Sequence, residues 1–528
     1  MVTRALPYQY DSDRSQAQRH YSGPMRIAAI DVGSNSIHLM VVESDGNGDH
    51  HVLAREKAMV RLARGGAKSG RIGGEAFAAG LEVLEKMKGI IDSFECETVM
   101  ACGTAALRDA ANASEFVAEA GKIGIAIRVI SGEEEARLIH QAVSHAIPFP
   151  EEPVVLMDIG GGSTEMTWVA MGRIEASISI PWGLQRLADA SATADPPTAK
   201  DLKNVTALIR KALKKARKSL PKNLPKAQLV LGTSGTLEDL GRGASGEYIF
   251  TAEQLRPFRQ KLWRNNAKSR MEKLGVDPKR AEVLHVGASW ASALLDWVGA
   301  SEVRVLPVGL REGMIWEALK HGGVAIPPLS ERRRASIDQL ASRLDPDPGH
   351  SLHVQRLSDQ LFLALRPQFE LGDPEREWLS YAARLHDVGF SISEKGHHKH
   401  GAYLIRNASL QGFWPEETEI ISQVVRYHRG KMPNPAKHEA FFQLEPWHQN
   451  VVEKLSAILR VADALDRRRR QSVTSLRLEN GGEELHLVLQ AAGDLRAEIE
   501  AVEEKGQMLF EMLEMPVEIR VESVGSND

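Results

Sequence analysis

The sequence predicts an α/β protein built from two lobes of like topology, followed by an all-helical domain and a small C-terminal α+β unit. Three observations carry this expectation. A strand–turn–strand segment, RIAAIDVGSNSIHLMVVES, recurs as PVVLMDIGGGSTEMTWVAM, so that Asp31-Val32-Gly33-Ser34-Asn35-Ser36 aligns with Asp158-Ile159-Gly160-Gly161-Gly162-Ser163. Apolar strand runs alternate with helical patterns across 25–320, the rhythm of an α/β fold. Near Ala325 that rhythm stops, and 333–470 is helical in period with scattered His and Asp.

A chain of 528 residues exceeds what one hydrophobic core serves, so several domains follow. The expected division is a flexible N-terminal arm at 1–24, a first lobe at 25–147 and a second at 148–322. A helical domain at 333–470 and the α+β unit at 471–528 complete it. The composition, 43% hydrophobic and 26% charged with a net charge of −4, is that of a globular protein. Its near-neutral balance does not suggest a general nucleic-acid binder, so no nucleic-acid partner is expected and any anionic partner is left to local basic patches. Only Cys96 and Cys102 are present, against a disulfide framework and for a reducing compartment. The first 24 residues are polar, without the apolar segment of a signal peptide. No apolar run reaches membrane-spanning length. The expectation is a cytoplasmic protein with no membrane partner.

Order is expected from Met25. In the first hairpin, β-rich apolar runs flank a glycine and small polar residues; ETVMACGT and IAIRVIS add strands, with helical patterns around 74–90 and 133–146. The second hairpin opens the second lobe, which continues through QLVLGTSGT and EVRVLPVGLREGM, each a strand ending in a glycine-rich turn. Duplication of the unit predicts two lobes facing each other across a cleft. VAIPPLSERRRAS reads as a linker. After RRRR at 467–470, the stretches SVTSLRLEN, ELHLVLQA and VEIRVES alternate apolar and polar residues as strands do.

The turn within LMDIGGGSTEM carries the first chemistry. Consecutive glycines cost backbone entropy and add nothing to a core, so something requires bare backbone there. Amides exposed by such a turn form an anion-binding concavity that a phosphate can approach closely. Gly160, Gly161, Gly162, Ser163 and Thr164 form one candidate loop, and Gly33, Ser34, Asn35 and Ser36 the other. Neither carries GxxxxGK[ST], so this is not a P-loop. Acids beside phosphate loops repel the ligand unless a divalent cation bridges them, and Mg²⁺ takes one or two carboxylates plus phosphate oxygens. Asp158 and Glu165, on the two strands of one hairpin, are placed to share a metal and a water.

A third acid lies upstream. In VISGEEEARLIH, Ser131 is the expected N-cap and Glu134 sits in capping-box position. Glu135, one residue later, is not explained by the cap: it either turns toward the cleft or is a solvated first-turn acid. Arg108, after a strand and a small-residue turn, suits bidentate phosphate contact or a surface salt bridge. Cys102 is assigned to packing.

IDVGSNS, TAALR, ISGEEEARL, MDIGGGSTE, GTSGT and GLREG, in that order, resemble the exopolyphosphatase / guanosine pentaphosphate phosphohydrolase family over nearly all of residues 25–500. The resemblance implies two ribonuclease-H-like (actin-like) lobes, an HD-like helical domain and often a homodimer. It implies Mg²⁺-dependent hydrolysis of the terminal phosphoanhydride of inorganic polyphosphate, with guanosine pentaphosphate as a further substrate of some members. By position it makes Glu135 the catalytic glutamate, and Asp158 and Glu165 the metal and water acids. Arg108 and both loops become phosphate contacts. Ser234 and Gly235 would border the polyphosphate channel, although a loop after a strand is often only a loop. Two rivals stay open: an ATP-dependent kinase of the same superfamily, and a non-catalytic sensor of polyphosphate or guanosine alarmones.

The helical segment holds a second constellation. His386-Asp387, with His353 before and Asp463 after, follows the ligand order of HD-type metal phosphohydrolases; His400 and His428 take the places of the extra histidines in two-metal variants. Imidazoles with carboxylates suit Mn²⁺, Fe²⁺, Zn²⁺ or Mg²⁺. Either these residues are now structural or they form a second metal site. From Lys203 to Lys226 there are nine Lys/Arg and no acid, a solvated helix face or a stripe for distal polymer. RRRR at 467–470 has the same two readings.

Overall fold

The computed structural model describes residues 25–44, 50–63, 70–278, 280–324, 327–408, 410–431, 433–491 and 493–523. The expected arm at 1–24 lies outside them, as do residues 325 and 326 of the linker. The chain divides into two units, Met1–Pro327 and Pro328–Asp528.

The repeated motif is a repeated topology. In the first unit β1 (Met25–Val32), β2 (Ser36–Ser44), β3 (His50–Met59), β4 (Thr98–Gly103) and β5 (Ile127–Val129) form a sheet of order β3-β2-β1-β4-β5. A second sheet contains β6 (Val154–Ile159), β7 (Thr164–Ala170), β8 (Arg173–Ile180), β9 (Leu229–Gly232), β10 (Ile249–Thr251) and β11 (Glu302–Val305) in the order β10-β11-β9-β6-β7-β8. Its β8-β7-β6-β9-β11 portion superposes in order on the first sheet, with β10 added at one edge. In both, three strands run antiparallel and the next two lie parallel to the first of them.

Strand period places two cores on the first sheet. Ala28, Ile30 and Val32 of β1 face Leu84, Met87 and Ile91 of the helix Gly74–Ser93 and Phe116 of Ala113–Lys122. Ile27 and Ala29, on the other face, pack with Leu138 and Ile139 of Gly132–Ala146 and with Met314 and Ile315 of Leu310–His321. The last helix of this unit therefore covers the first sheet, although its sequence falls in the stretch expected for the second lobe. Gly313 permits the contact, since a Cβ there would lie 2.0 Å from the Leu138 carbonyl oxygen. The second sheet has its own core, with Val155, Met157, Trp168, Val230, Leu255 and Trp290 among its members.

One consequence positions everything that follows. The loops after the parallel strands β1, β4, β5, β6 and β9 leave the carboxyl ends of their sheets, where open α/β folds bind ligands. Those loops are the ones that carry IDVGSNS, TAALR, ISGEEEARL, MDIGGGSTE and GTSGT.

In the second unit, helices including Leu329–Leu344, Pro348–Phe369, Asp373–Leu385, His397–Arg406, Pro415–Tyr427 and Pro446–Ala464 precede β12 (Val473–Asn480), β13 (Leu485–Ala491) and β14 (Val517–Ser523), which form a sheet of that order. One cluster of buried side chains runs from Ile337 to Leu513, so the expected boundary at 470/471 falls inside a shared core. Among the described residues no helix is long and apolar enough to cross a membrane.

Candidate active site

Both hairpin turns close the same way: the Gly33 amide donates to the Ser36 carbonyl at 3.1 Å, and the Gly160 amide to the Ser163 carbonyl at 3.0 Å. The turns also touch. A Cβ at Gly161 would lie 3.2 Å from Asn35 Cβ, and one at Gly162 only 2.3 Å from Ser34 Oγ and 2.9 Å from Ala105 Cβ. The glycines thus have a reason beyond bare amides: a Cβ at Gly162 would clash with the opposing hairpin and one at Gly161 would crowd it. The carbonyls of Gly160 and Gly161 accept from the amides of Leu184 and Gln185, at 2.9 and 3.0 Å. Planar trans peptides then turn the N–H groups of Gly161 and Gly162 the opposite way, off that helix.

Glu135 stands on the first turn of Gly132–Ala146. Ser131 accepts the Glu134 amide at 3.1 Å as N-cap, and Glu134 turns outward to Arg128 and Arg137, at 3.1 and 3.2 Å. Of the three successive acids only Glu135 is buried, 8% exposed. Arg108 explains its orientation: Nη1 donates to Glu135 Oε2 at 2.7 Å and to the Ile130 carbonyl at 3.0 Å. Nη2 reaches the other lobe, donating to Ser163 Oγ at 3.4 Å and lying 3.7 Å from Glu165 Oε1.

Strand register delivers the remaining acids. Asp158 and Glu165 are direct partners across β6 and β7, and Asp31 pairs with His38 across β1 and β2. Thr233 donates its hydroxyl to Asp158 Oδ2 at 2.8 Å, and Ser179 donates to Glu165 Oε1 at 2.7 Å. Asp31 Oδ1, Ser34 Oγ and Asn35 Oδ1 are buried without a hydrogen-bond partner.

Burial pushes all four carboxyls up. Glu135 is raised well above the usual range by desolvation and then by Glu165, against the pull of Arg108. Glu165 is pushed up to about 7 by burial and by Asp158, with Ser179, Ser163 and Arg108 opposing. Asp31 reaches about 7 through burial, with Arg311 opposing and Asp158 and Glu312 adding to the rise. Asp158 is raised by burial, with the Thr233 hydrogen bond opposing. The donor set is oxygen throughout, negative charge is under-compensated, and Asp31 offers an orphaned oxygen; these features fit a hard divalent cation.

A pH dependence follows. The folded-state values of Asp31 and Glu165 lie above those of an unfolded chain, so their protonated forms favour the fold. That contribution is complete below about pH 4 and is lost as pH rises through about 7. In chelator, the melting temperature is expected to fall by several degrees between about pH 5 and 8, and Mg²⁺ to restore it at pH 8 but hardly at pH 5. Asp31→Asn should flatten the slope. A Mg²⁺ effect of equal size at both pH values in scanning fluorimetry would contradict the assignment.

The structure brings together Gly33, Ser34, Asn35, Arg108, Glu135, Asp158, Gly161, Gly162, Ser163 and Glu165. Thr164 does not join them: it alternates with Glu165 along β7, and its hydroxyl donates to the Trp182 carbonyl at 2.7 Å and accepts from Trp290 Nε1 at 2.9 Å. Ser36 Oγ meets His38 Nε2 at 2.6 Å. Ser234 caps Gly235–Ala244 by accepting the Leu237 amide at 3.4 Å, and a Cβ at Gly235 would lie 2.5 Å from Arg280 Nη2. Sequence reasoning assigned no role to Asp31, Thr233, Ser179 or Arg311, though Asp31 stands in the duplicated turn and Arg311 in GLREG.

The basic stretches lie on an exposed helix face and in ion pairs. The helix Ala199–Ala216 buries Val205, Ile209, Ala212 and Ala216 and leaves its Lys and Arg exposed. Arg468 pairs with Glu498 at 2.6 Å, and Arg469 with Asp387 at 2.6 Å. In the second unit His386, Asp387 and His428 do gather, but with His350 and His397. His353 lies nearly a helical turn beyond His350, its Nδ1 3.1 Å from Arg356 Nη2, and His400 likewise follows His397 by three residues.

Several known proteins resemble this chain. A family model described as the Ppx/GppA phosphatase family matches residues 40–321, and one for domain III of that phosphatase matches 332–504. An exopolyphosphatase from Cytophaga hutchinsonii is 27% identical with a TM-score of 0.50, the match covering 58% of this chain and 100% of that one. An exopolyphosphatase-like protein is 25% identical with a TM-score of 0.51, covering 56% of this chain and 98% of the other. A Ppx/GppA family member from Aquifex aeolicus is 28% identical at a TM-score of 0.48, covering 56% and 99%.

Proposed function

Because this chain belongs to the Ppx/GppA phosphatase family, we propose that it removes the terminal phosphate of inorganic polyphosphate by Mg²⁺-dependent hydrolysis. It is a phosphoanhydride hydrolase of the exopolyphosphatase type. The observation that carries the substrate assignment is the convergence of Glu135 and Arg108 with Asp158, Glu165 and two side-chain-poor turns.

Glu135 takes a proton from the attacking water as the water oxygen bonds to the terminal phosphorus. The anhydride oxygen leaves with the shortened chain, and orthophosphate is released. A carboxylate raised above its ordinary range is a stronger base for that proton transfer. Arg108 orients Glu135 and, through its second nitrogen, lies beside Ser163, where charge builds on the transferred group. The amides of Gly161 and Gly162, with Ser34 and Asn35, hold the phosphoryl oxygens. Asp31, Asp158 and Glu165 would hold Mg²⁺, which when bound neutralises phosphate charge. Guanosine pentaphosphate presents the same terminal anhydride and is a second candidate substrate.

The test is orthophosphate release with Mg²⁺ from polyphosphate, from guanosine pentaphosphate and from ATP with and without a phosphate acceptor. Polyphosphate is expected to yield orthophosphate with no acceptor. Binding without release would favour a sensor, and acceptor-dependent ADP formation a kinase.

A further inference from the structure

The second unit holds a cluster of side chains that anhydride hydrolysis does not use. His350, His386, Asp387, His397 and His428 are each at most 3% exposed, and Asp463 lies beside them. Buried imidazoles need partners at both ring nitrogens. His386 and His428 turn Nδ1 to the carbonyls of Ala383 and Val425, each at 2.7 Å, and His397 turns Nδ1 to that of Glu394 at 3.1 Å. His350 Nδ1 meets Asp466 Oδ2 at 2.8 Å. A neutral ring that donates Nδ1–H presents a bare lone pair at Nε2. Yet these Nε2 atoms face each other, His350 to His386 at 3.3 Å and His397 to His428 at 3.4 Å.

The donor spacing says what belongs between them. His350 Nε2 lies 3.4 Å from Asp463 Oδ1 and 3.8 Å from Asp387 Oδ2. His386 Nε2 lies 3.5 Å from Asp387 Oδ1 and 3.9 Å from Asp463 Oδ1. Ligands bound tetrahedrally at about 2.0–2.1 Å stand about 3.4 Å apart. The second group has the same spacing, with His397 Nε2 3.6 Å from Asp387 Oδ1.

We propose that this unit binds two divalent transition ions, one through His350, His386, Asp387 and Asp463 and the other through Asp387, His397 and His428. Asp387 is shared. An imidazole-rich set selects Mn²⁺, Fe²⁺, Co²⁺ or Zn²⁺ rather than Mg²⁺ or Ca²⁺. The carbonyls and Asp466 on the Nδ1 atoms are the outer contacts that orient metal-binding histidines. The second ion has three protein ligands and so keeps a position for an exchangeable one. A salt-bridge network is the competing account: a protonated His350 between Asp463 and Asp466, with Arg469 on Asp387 and Lys505 on Asp463, each at 2.6 and 2.8 Å respectively. Arg429 Nη1 also lies 3.4 Å from His397 Nδ1, farther than the Glu394 carbonyl. That network brings His397 and His428 nitrogen to nitrogen with no ion between them.

The full chain, stripped with chelator, loaded with Mn²⁺ or Zn²⁺ and exchanged into metal-free buffer, is analysed by plasma mass spectrometry. About two ions per chain are expected, and Glu165→Gln in the first unit should keep both. His428→Gln should fall to about one, Asp387→Ala to nearly none, and His353→Gln should keep two. Zn²⁺ should raise the melting temperature of the wild type more than that of His428→Gln, and Co²⁺ should give the visible bands of nitrogen-ligated cobalt. Wild-type retention below about a fifth of an ion, with no melting shift, overturns the proposal whatever the variants do. So does retention of two ions by both Asp387→Ala and His428→Gln.

Discussion

Glu135→Gln is expected to lower orthophosphate release from polyphosphate about 10³-fold, within the 10² to 10⁴ range of a lost general base, while polyphosphate affinity changes less than about threefold. The substitution keeps shape and the ability to accept from Arg108 Nη1, now 2.7 Å from Oε2. It removes the capacity to take a proton, together with the negative charge that Arg108 faces. Burial keeps Glu135 above the ordinary carboxylate range, so the wild-type rate should rise with pH as it ionises. At Mg²⁺ high enough to keep Asp31 and Glu165 ionised, that rising limb should flatten in the variant. Release kinetics at several pH values, with filter binding of labelled polyphosphate, check both statements. Turnover near wild type would remove Glu135 from the chemistry.

Asp158→Asn is expected to cut turnover by about 10²- to 10³-fold and to raise the Mg²⁺ concentration for half-maximal rate by at least about tenfold. Asparagine can retain the hydrogen bond from Thr233, which reaches Asp158 Oδ2 at 2.8 Å, so the hairpin should stand. What goes is one negative charge from the acids proposed to hold the cation. Asp158 is also a cause of the raised Glu165, so the variant should let Glu165 ionise at lower pH. A Mg²⁺ titration of initial rates reads the loss; unchanged half-saturation would take Asp158 out of the metal set.

The duplicated hairpins and the order of the glycine turns were readable from residues alone, because strand–turn–strand patterning and bare backbone leave marks in sequence. The sheet orders β3-β2-β1-β4-β5 and β8-β7-β6-β9-β11 repeat accordingly. Ser179 left no such mark, and Thr233 stands in GTSGT without any sign there of its contact with Asp158. Ser179 reaches Glu165 as its direct partner across β7 and β8, and Thr233 follows β9, which pairs with β6. Thr164 was within reach of reasoning, since alternation along a strand cannot send both it and Glu165 to one face. His350 and His353 are harder. Both are buried on one helix, three residues apart, and only the facing helices decide which ring meets His386.

The meeting of the two hairpin bends, where Gly162 lies flat against Ser34, has a bearing on which bond can be cut. On the proposed function, a phosphate chain that enters beside the Gly161 and Gly162 amides meets this contact first with its leading unit. Such an encounter favours removal of single phosphates from the tip over cleavage of interior linkages.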